Sequence, residues 1–274
     1  MTATSAATTS TTPFGALLRY WRGVRRVSQL QLAVQAGISS RHVSFMETGR
    51  STPSREMVLQ VAEVLEVPLR ERNSMLQAAG YASAFRESSM ESAELEAVRK
   101  SLEFLLERHH PHPAIVVDRH WDILLQNRAT SHLLSRFVAQ PASFSLPLNA
   151  MRLLFRQEGI RPFVVNWDEL SATLLHRLRR EVAMDPGDEQ SAALLAEAVE
   201  CCGGDASRQV TDLAGSSSVI VEMHLRREDV ELRIFSAITT LGTPLDITLQ
   251  ELRLETFFPA DAASQRVIED LVEA

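Results

Sequence analysis

The chain has 274 residues, of which 45% are hydrophobic and 23% are charged, the composition of an ordinary globular protein. Its length allows one large domain or two medium ones. Its apolar runs fall short of the roughly 18 residues that a membrane span needs, and its two cysteines, Cys201 and Cys202, are adjacent and cannot form a disulfide framework. Membrane, collagen, coiled-coil and disulfide-scaffold classes are therefore excluded, and the composition fits a reducing cytoplasm.

The net charge of −7 is unevenly distributed along the chain. Residues 1–86 contain ten Arg and five Glu, a balance of +5, whereas the remaining residues contain 18 of the 28 basic and 30 of the 35 acidic side chains, a balance of −12. A basic segment followed by an acidic one indicates two domains with different partners. The basic segment is suited to a polyanion, which the acidic segment would repel.

Residues 1–12 are small and polar and are predicted to form a disordered tail. Between residues 13 and 82, apolar residues recur at helical spacing between capping and breaking residues, which predicts five short helices. The first carries Leu17, Leu18 and Trp21 on one face. The others begin after Ser28, at Ser39 or Ser40, at Pro53-Ser54, and at Leu69.

A polar linker is predicted at residues 83–94, and the pattern then becomes mixed. A long amphipathic helix begins at Leu95, and two β-type runs, Ala114–Asp118 and Trp121–Gln126, are close enough to form a hairpin. Further helices are predicted near residues 127–138, 150–157, 167–183, 188–201 and 263–272, and further strands at residues 219–225, 230–241 and 246–258. Residues 95–274 are therefore predicted to form an α+β domain with a mostly antiparallel sheet.

Residues 29–48 have the spacing of a helix-turn-helix unit. Ala33 is small where two helices would cross closely, and Gly37, four residues later, stands where the turn requires a positive φ. The positions where the two helices would bury against each other are apolar: Leu32, Ala36, Ile38, Val43 and Met46. An ordinary helical hairpin would share the glycine, but the flanking helices also fit the longer motif.

Residues 14–66 contain a running pattern that gives them a specific resemblance. The pattern is Ser28-Gln29, Leu32-Ala33, Ala36-Gly37-Ile38-Ser39, Val43-Ser44, Glu47-Thr48-Gly49-Arg50 and Pro53. They resemble the DNA-binding domain of phage repressors and of the Xre-type regulators. The resemblance implies an all-α bundle of five helices that docks as a homodimer on operator DNA. It also implies an internal ion pair between Arg22 and Glu47, and a phosphate contact from Gln29 and the start of its helix.

The second helix of the unit is predicted to enter the major groove. With Val43 and Met46 facing the bundle, its outward face carries the candidate DNA contacts Ser39, Ser40, Arg41, His42, Ser44 and Phe45. Arg41 is suited to a bidentate contact with guanine and Phe45 to a thymine methyl group, with Arg50 placed for a phosphate. The alternatives are a solvated arginine at position 41 and core packing for Phe45.

Later strings narrow the resemblance: Val67-Pro-Leu-Arg-Glu-Arg-Asn73, His112-Pro-Ala, Asp118-Arg-His-Trp-Asp122, Asn127-Arg-Ala129 and Asn166-Trp167. They are similar to the MmyB-like branch of Xre-type regulators, and the similarity covers nearly the whole chain beyond the first dozen residues. It implies a PAS-like C-terminal domain that binds a ligand or dimerises, with a long-chain fatty acid as an example of ligand.

A PAS-like sheet covered by helices would enclose an apolar cavity. Candidate wall residues are Trp121, Ile123, Phe155, Phe163, Trp167, Ile234 and Phe235, with Asn127 or Arg152 as an anchor for a polar head group. The alternatives are plain core packing for the apolar residues, a helix cap for Asn127 and a surface position for Arg152.

The sequence thus predicts a dimeric, cytoplasmic transcription regulator that binds double-stranded DNA and senses a small apolar ligand. No metal, other cofactor or membrane partner is expected. One alternative is a C-terminal domain that only dimerises or binds a protein. Another is an enzyme carrying a DNA-binding module, but the chain has no phosphate loop, nucleophile elbow or HExxH helix.

Overall fold

The computed structural model of the protein describes residues 12–185, 187–203 and 220–273. The predicted tail before Thr12 and the predicted strand start at Val219 lie outside these residues. The chain divides into two compact units, one formed by residues up to Ser89 together with Thr243–Gln250, the other by Met90–Gly242 and Glu251–Ala274. Each unit has its own apolar core.

The first unit contains the five predicted helices. They are α1 (Pro13–Val24), α2 (Gln29–Gln35), α3 (Ser40–Glu47), α4 (Arg55–Val64) and α5 (Leu69–Ala78). At the start of each of the first four helices, a side-chain hydroxyl accepts a hydrogen bond from a backbone N–H of the first turn. These hydroxyls belong to Thr12, Ser28, Ser39 and Ser54. Their apolar faces meet in one core around Leu18, Trp21, Leu32, Val43 and Met46, all at most 1% exposed.

Two glycines set the spacing of these helices. Gly37 has a φ of +63° at the turn between α2 and α3, a conformation that side chains rarely adopt. Gly15 lies where α1 passes the end of α3, since a Cβ there would come within 2.5 Å of the Glu47 carbonyl oxygen. The close approach of α1 therefore fixes the position of α3.

The segment Thr243–Gln250 is a later part of the chain that packs within the first unit. The strand predicted for residues 246–258 is wrong in its first half, because Ile247–Glu251 form a short helix, α11. Asp246 starts this helix by accepting a hydrogen bond from the Thr248 amide at 2.9 Å. The β-branched run Ile247-Thr248 suggested a strand, but a capping carboxylate and the burial of Ile247 decide for helix.

The second unit is an α+β domain. Its helices are α6 (Glu96–Arg108), α7 (Arg128–Phe137), α8 (Ala150–Phe155), α9 (Trp167–Met184), α10 (Glu189–Cys201) and α12 (Ala262–Glu273). Its strands are β1 (Ala114–Val117), β2 (Ile123–Gln126), β3 (Met223–Arg227), β4 (Val230–Thr239) and β5 (Arg253–Pro259). They form one antiparallel sheet in the order β2-β1-β5-β4-β3. The predicted fold class, a helical bundle followed by an α+β domain, is confirmed.

The two faces of the sheet differ in what covers them. Ile115, Val117, Ile238 and Phe257 share a core cluster with apolar residues of α8, α9 and α10. We call this side the helix-covered face. On the opposite side, Phe235 stacks on Phe258 with ring centroids 5.6 Å apart. The central strand β5 therefore contributes alternate residues to both faces.

Candidate DNA-binding surface and ligand site

Helix α3 has one buried face and one open face. Val43 and Met46 are fully buried against the bundle, and Ser39 caps the helix by accepting a hydrogen bond from the His42 amide at 3.1 Å. Ser39, Ser40 and Arg41 are exposed, while His42, Ser44 and Phe45 are half-buried. The six candidate residues therefore lie together at the start and along the open face of this helix.

Phe45 lies beneath two arginines. The Arg41 guanidinium carbon is 5.0 Å from the centre of the Phe45 ring, and that of Arg50 is 6.0 Å from it. Both arginines are exposed. A half-buried ring that supports two guanidinium groups orients them without neutralising either charge. The result is a compact cationic surface at one end of the unit.

Glu47 ends α3 as an almost fully buried carboxylate, 1% exposed. The Arg22 side chain donates to it at 2.7 Å, and Arg19 lies 3.5 Å away. Burial alone would raise the pKa of Glu47, but the hydrogen bonds from Arg22 and Gln29 and the charges of Arg22 and Arg19 outweigh it and hold that pKa below its usual value. The network ties α1 to the end of α3.

Gln29 takes part in the same network. Its side-chain Nε2 donates to Glu47 Oε2 at 2.7 Å. An amide nitrogen has two hydrogens, so one of them is occupied inside the protein. The sequence predicted a phosphate contact for Gln29. In the structure, the hydrogen bond from its side chain to Glu47 joins α2 to the end of α3.

In the second unit, Trp121 is the centre of a cluster of charged residues. Its indole nitrogen donates to Glu181 Oε2 at 2.9 Å, and the guanidinium carbons of Arg177 and Arg253 lie 4.3 and 4.8 Å from its ring centre. Trp121 has a φ of +69°, a left-handed backbone that a bulky side chain rarely adopts. The surrounding contacts therefore hold this residue in a strained conformation.

The predicted wall residues separate into two groups. Phe155 and Trp167 are in edge contact, with ring centroids 5.5 Å apart, and share the apolar clusters of the helix-covered face with Ile123. Phe163 and Ile234 belong to an adjoining cluster that also includes Trp167. Phe235 lies on the opposite face of the sheet, against Phe258. The structure thus gathers all of these residues except Phe235.

Both predicted polar anchors are engaged within the protein. Asn127 is the N-cap of α7: its Oδ1 accepts from the Thr130 and Ala114 amides, and its Nδ2 donates to the carbonyls of Leu106 and His112. Arg152 donates two hydrogen bonds to Glu197, each 2.9 Å long. Both amide hydrogens of Asn127 are therefore used within the protein, whereas the pair with Glu197 uses two of the five N–H groups of Arg152.

Sequence reasoning missed the charged residues around Trp121. Arg177 and Glu181 are four residues apart on α9, which resembles an ordinary surface ion pair. Glu255 lies on the helix-covered face of β5, because it pairs with Ile238, yet it is only 9% exposed. The signal available in the sequence was the alternation Arg253, Glu255, Phe257, in which two charged residues share the face of a core aromatic.

No helix among the described residues is long and apolar enough to cross a bilayer. Within the same residues, no group of three or more His, Cys, Asp or Glu side chains is arranged to hold a metal ion. Cys201 and Cys202 are both free thiols, and burial raises the pKa of each.

The bundle and the α+β domain define a class: a helix-turn-helix, DNA-binding transcription regulator with a ligand-binding domain. Comparison with protein families agrees, since the model of the MmyB-like transcription regulator ligand binding domain matches residues 98–271 and that of a helix-turn-helix domain matches residues 13–75. The chain therefore belongs to the MmyB-like transcription regulators, which are not enzymes.

One curated relative is the uncharacterized HTH-type transcriptional regulator RghRB of Bacillus subtilis (strain 168), 35% identical over 114 residues that cover 41% of this chain and 80% of that protein. Among solved structures, an RNA-binding light-oxygen-voltage receptor aligns with 100% of this chain and 68% of its own at 9% identity. Its TM-score of 0.26 is too low to carry an argument.

Proposed function

We propose that this protein is a homodimeric regulator of the cytoplasm that reads an operator sequence with α3. Its affinity for that operator changes when its C-terminal domain binds a small, largely apolar ligand. A fatty acid is the model for this ligand. The observation that carries the proposal is the open face of α3, where Arg41 and Arg50 are held over Phe45 on a helix whose other face is locked in the core.

In this proposal, Arg41 contacts a guanine edge and Arg50 contacts a phosphate. Arg41 lies within the first turn of α3, the part of a recognition helix that reaches base edges. Arg50 follows the helix beyond Gly49 and is exposed. The Gln29 amide retains one hydrogen for a phosphate, and Ser39, Ser40, His42 and Ser44 complete the surface.

A homodimer follows from how such helices read DNA. One recognition helix covers only a few base pairs, so two copies related by a twofold axis read two half-sites about 10 base pairs apart. The acidic C-terminal domain, repelled by the duplex, is suited to hold the two copies together away from it.

The segment Thr243–Gln250 supports a route from ligand to DNA. It joins β4 to β5 in the sequence, yet it packs within the DNA-binding unit, where the Asp246 carboxylate accepts from the Ser88 amide at 3.2 Å and from the Ser88 hydroxyl at 2.7 Å. The Gln250 side chain accepts from the Leu69 amide at 2.7 Å and thereby caps α5. A shift of β4 or β5 on ligand binding would pull on both anchors.

Native mass spectrometry of the purified full chain tests the proposal. The expected result is a dimer that carries a small molecule, which is released on denaturation and changes operator affinity when it is added back to stripped protein. A stripped protein whose operator affinity does not respond to the released molecule would contradict ligand sensing. A monomer on and off DNA would contradict the dimer. Capture of another protein by the C-terminal domain in place of a small molecule would favour a protein-binding domain.

A further inference from the structure

Helix α6 exposes two large apolar side chains on the side that faces away from its own domain. Leu102 and Leu106 are at most 4% exposed and pack toward β1. Phe104 and Leu105, which are adjacent in the sequence, are 54% and 48% exposed. Neighbouring apolar side chains that remain half in water indicate a surface that binds a partner.

The exposed side of α6 is a stripe of regular spacing. Glu94 lies in the short turn Ala93–Leu95 that leads into the helix, and later members recur every three or four residues along the same side. Val98 is half-buried and the other members are exposed. We call this side the α6 stripe, and its residues are Glu94, Ala97, Val98, Ser101, Phe104, Leu105 and Arg108.

The two charges of the α6 stripe have no ionic partner among the described residues. The other basic residues of α6, Arg99 and Lys100, each contact a carboxylate of the same helix. Neither Glu94 nor Arg108 forms such a pair within the described part of the chain, and the Arg108 guanidinium carbon lies 5.0 Å from the centre of the Phe104 ring. The stripe therefore has an unpaired carboxylate at one end and an unpaired guanidinium at the other.

The charges of the stripe complement each other when the stripe is reversed. Ser101 lies at its middle, with Glu94 seven positions before it and Arg108 seven positions after it. Seven positions are about two helical turns, so the three residues lie on one side. If a second stripe lies antiparallel with Ser101 at the crossing, each Glu94 faces an Arg108 of the other copy. Such reciprocal pairing is what a twofold-symmetric contact requires.

The apolar positions match about the same axis. Ala97 faces Leu105 and Val98 faces Phe104, so that a smaller side chain meets a larger one in every pair. Ser101 is small and exposed at the crossing point, which allows the two helices to approach closely. The surface that fits the α6 stripe along its whole length is therefore a second copy of the same stripe.

The charge of the domain restricts where two copies can meet. The chain beyond residue 86 has a balance of −12, so two such domains repel each other over most of their surface. Between its two ends the α6 stripe has no charged member. Contact there requires no carboxylate to be desolvated at the centre of the interface.

We propose that two copies of the chain associate through the α6 stripe, with their α6 helices antiparallel and the twofold axis at Ser101. The inference rests on the proposed function, because it names the contact that holds the proposed homodimer together. The apolar centre supplies the attraction. The two pairs of Glu94 with Arg108, one at each end, set the direction and the register of the helices.

Charge reversal tests the pairing. In Glu94→Arg and in Arg108→Glu, each dimer would bring two pairs of like charges together, so its dissociation constant should rise about tenfold at low salt. The double variant restores opposite charges at both ends, and its dissociation constant should return to within about threefold of the unmodified value. Sedimentation of the full chain over a range of concentrations measures these constants.

Glu107→Arg is the matched control for this series. It makes the same change of charge as Glu94→Arg at an exposed residue of α6 that lies outside the stripe. This variant should dimerise as tightly as the unmodified protein. Circular dichroism and thermal unfolding show that each variant is folded.

A cysteine at the axis tests the geometry independently of charge. In a chain whose Cys201 and Cys202 are replaced by serine, Ser101→Cys should form a disulfide with its own copy under mild oxidation, because residues on a twofold axis face each other. Glu107→Cys lies on another side of the helix and should remain largely uncross-linked.

A double variant that dimerises no better than the single reversals would overturn the antiparallel interface, as would equal cross-linking of Ser101→Cys and Glu107→Cys. A dimer that all of the reversals leave unchanged would also overturn it, but would keep the homodimer and leave the α6 stripe to a different protein. An unmodified chain that stays monomeric at every concentration would remove both the interface and the homodimer of the proposed function.

Discussion

Glu47 shows how one residue connects stability to the DNA-binding surface. Its buried carboxylate accepts hydrogen bonds from Arg22 and Gln29 at 2.7 Å each. Glu47→Gln removes the charge that both donors face, so we expect it to destabilise the first unit by about 1–3 kcal/mol. Hydrogen exchange of α1 and α3 peptides in the full chain measures this loss, and protection equal to that of the unmodified protein would contradict it.

The same residue predicts a dependence on pH. The pKa of Glu47 is lower in the folded protein than its ordinary value of 4.5. Its contribution to stability is therefore present above that value and is lost as the pH falls through the folded pKa. As the pH falls below about 4.5, protection of α1 and α3 should fall more in the unmodified protein than in Glu47→Gln. Parallel losses in the two proteins would show that other groups dominate.

Arg41 and Arg50 are expected to make different kinds of contact with DNA. Both guanidinium groups lie over Phe45, but Arg41 is on the recognition helix and Arg50 is beyond it. Arg41→Ala should cost about 1–3 kcal/mol of operator binding and relax specificity at one base position, while Arg50→Ala should weaken all sequences alike. Binding titrations against single-base operator variants separate the two effects. Equal, sequence-independent losses in both variants would count against base reading by Arg41.

At the scale of elements, α1 carries a matched pair of glycines. A Cβ at Gly15 would come within 2.5 Å of the Glu47 carbonyl oxygen, whereas a Cβ at Gly23 meets no described atom within 4 Å. Gly15→Ala must push α1 away from α3 and should cost about 1–3 kcal/mol. Gly23→Ala should stabilise α1 by about 0.5–1 kcal/mol, because alanine favours the helix. Exchange protection of α1 measures both, and effects of the same sign would contradict the close approach.

The helices of the first unit could be predicted because their ends are encoded locally. Ser28, Ser39 and Ser54 each cap the helix that follows, and Gly37 stands at a turn with positive φ. Helix α11, just before β5, had no comparably clear local signal for its start. Asp246 caps α11 in a run of β-branched residues, and its partner Ser88 is 158 positions away in the chain. A contact at that separation leaves no periodic trace in the sequence.

Of the candidate ligand site, only the apolar residues could be predicted from the sequence. Trp121, Phe155 and Trp167 are large aromatic residues, and such residues usually lie in the core of a domain. The position of the charged residues around Trp121 depends on the register between strands, which brings Glu255 opposite Ile238, and on α9 lying over that face. Strand register and helix placement are tertiary properties, so Arg177 and Glu181 looked like a solvated pair on a helix.

At the scale of the whole molecule, the link between the ligand and DNA is predicted to pass through Thr243–Gln250. Asp246→Ala removes both hydrogen bonds to Ser88. We expect this variant to bind the operator and the ligand separately but to lose most of the change in operator affinity that the ligand causes. Leu245→Ala, which changes a neighbouring residue that is 84% exposed, is the control and should keep the response. An unaltered response in Asp246→Ala would place the coupling elsewhere.

We propose that α3 reads a specific sequence in double-stranded DNA. Selection from a random duplex library with the full chain at low salt measures such reading, with Arg41→Ala selected in parallel. The expected result is enrichment of a twofold-symmetric site whose half-sites are about 10 base pairs apart, with relaxed preference at one position of each half-site for the variant. A folded protein that enriches no sequence, with or without an added apolar ligand, would show that α3 does not read DNA sequence.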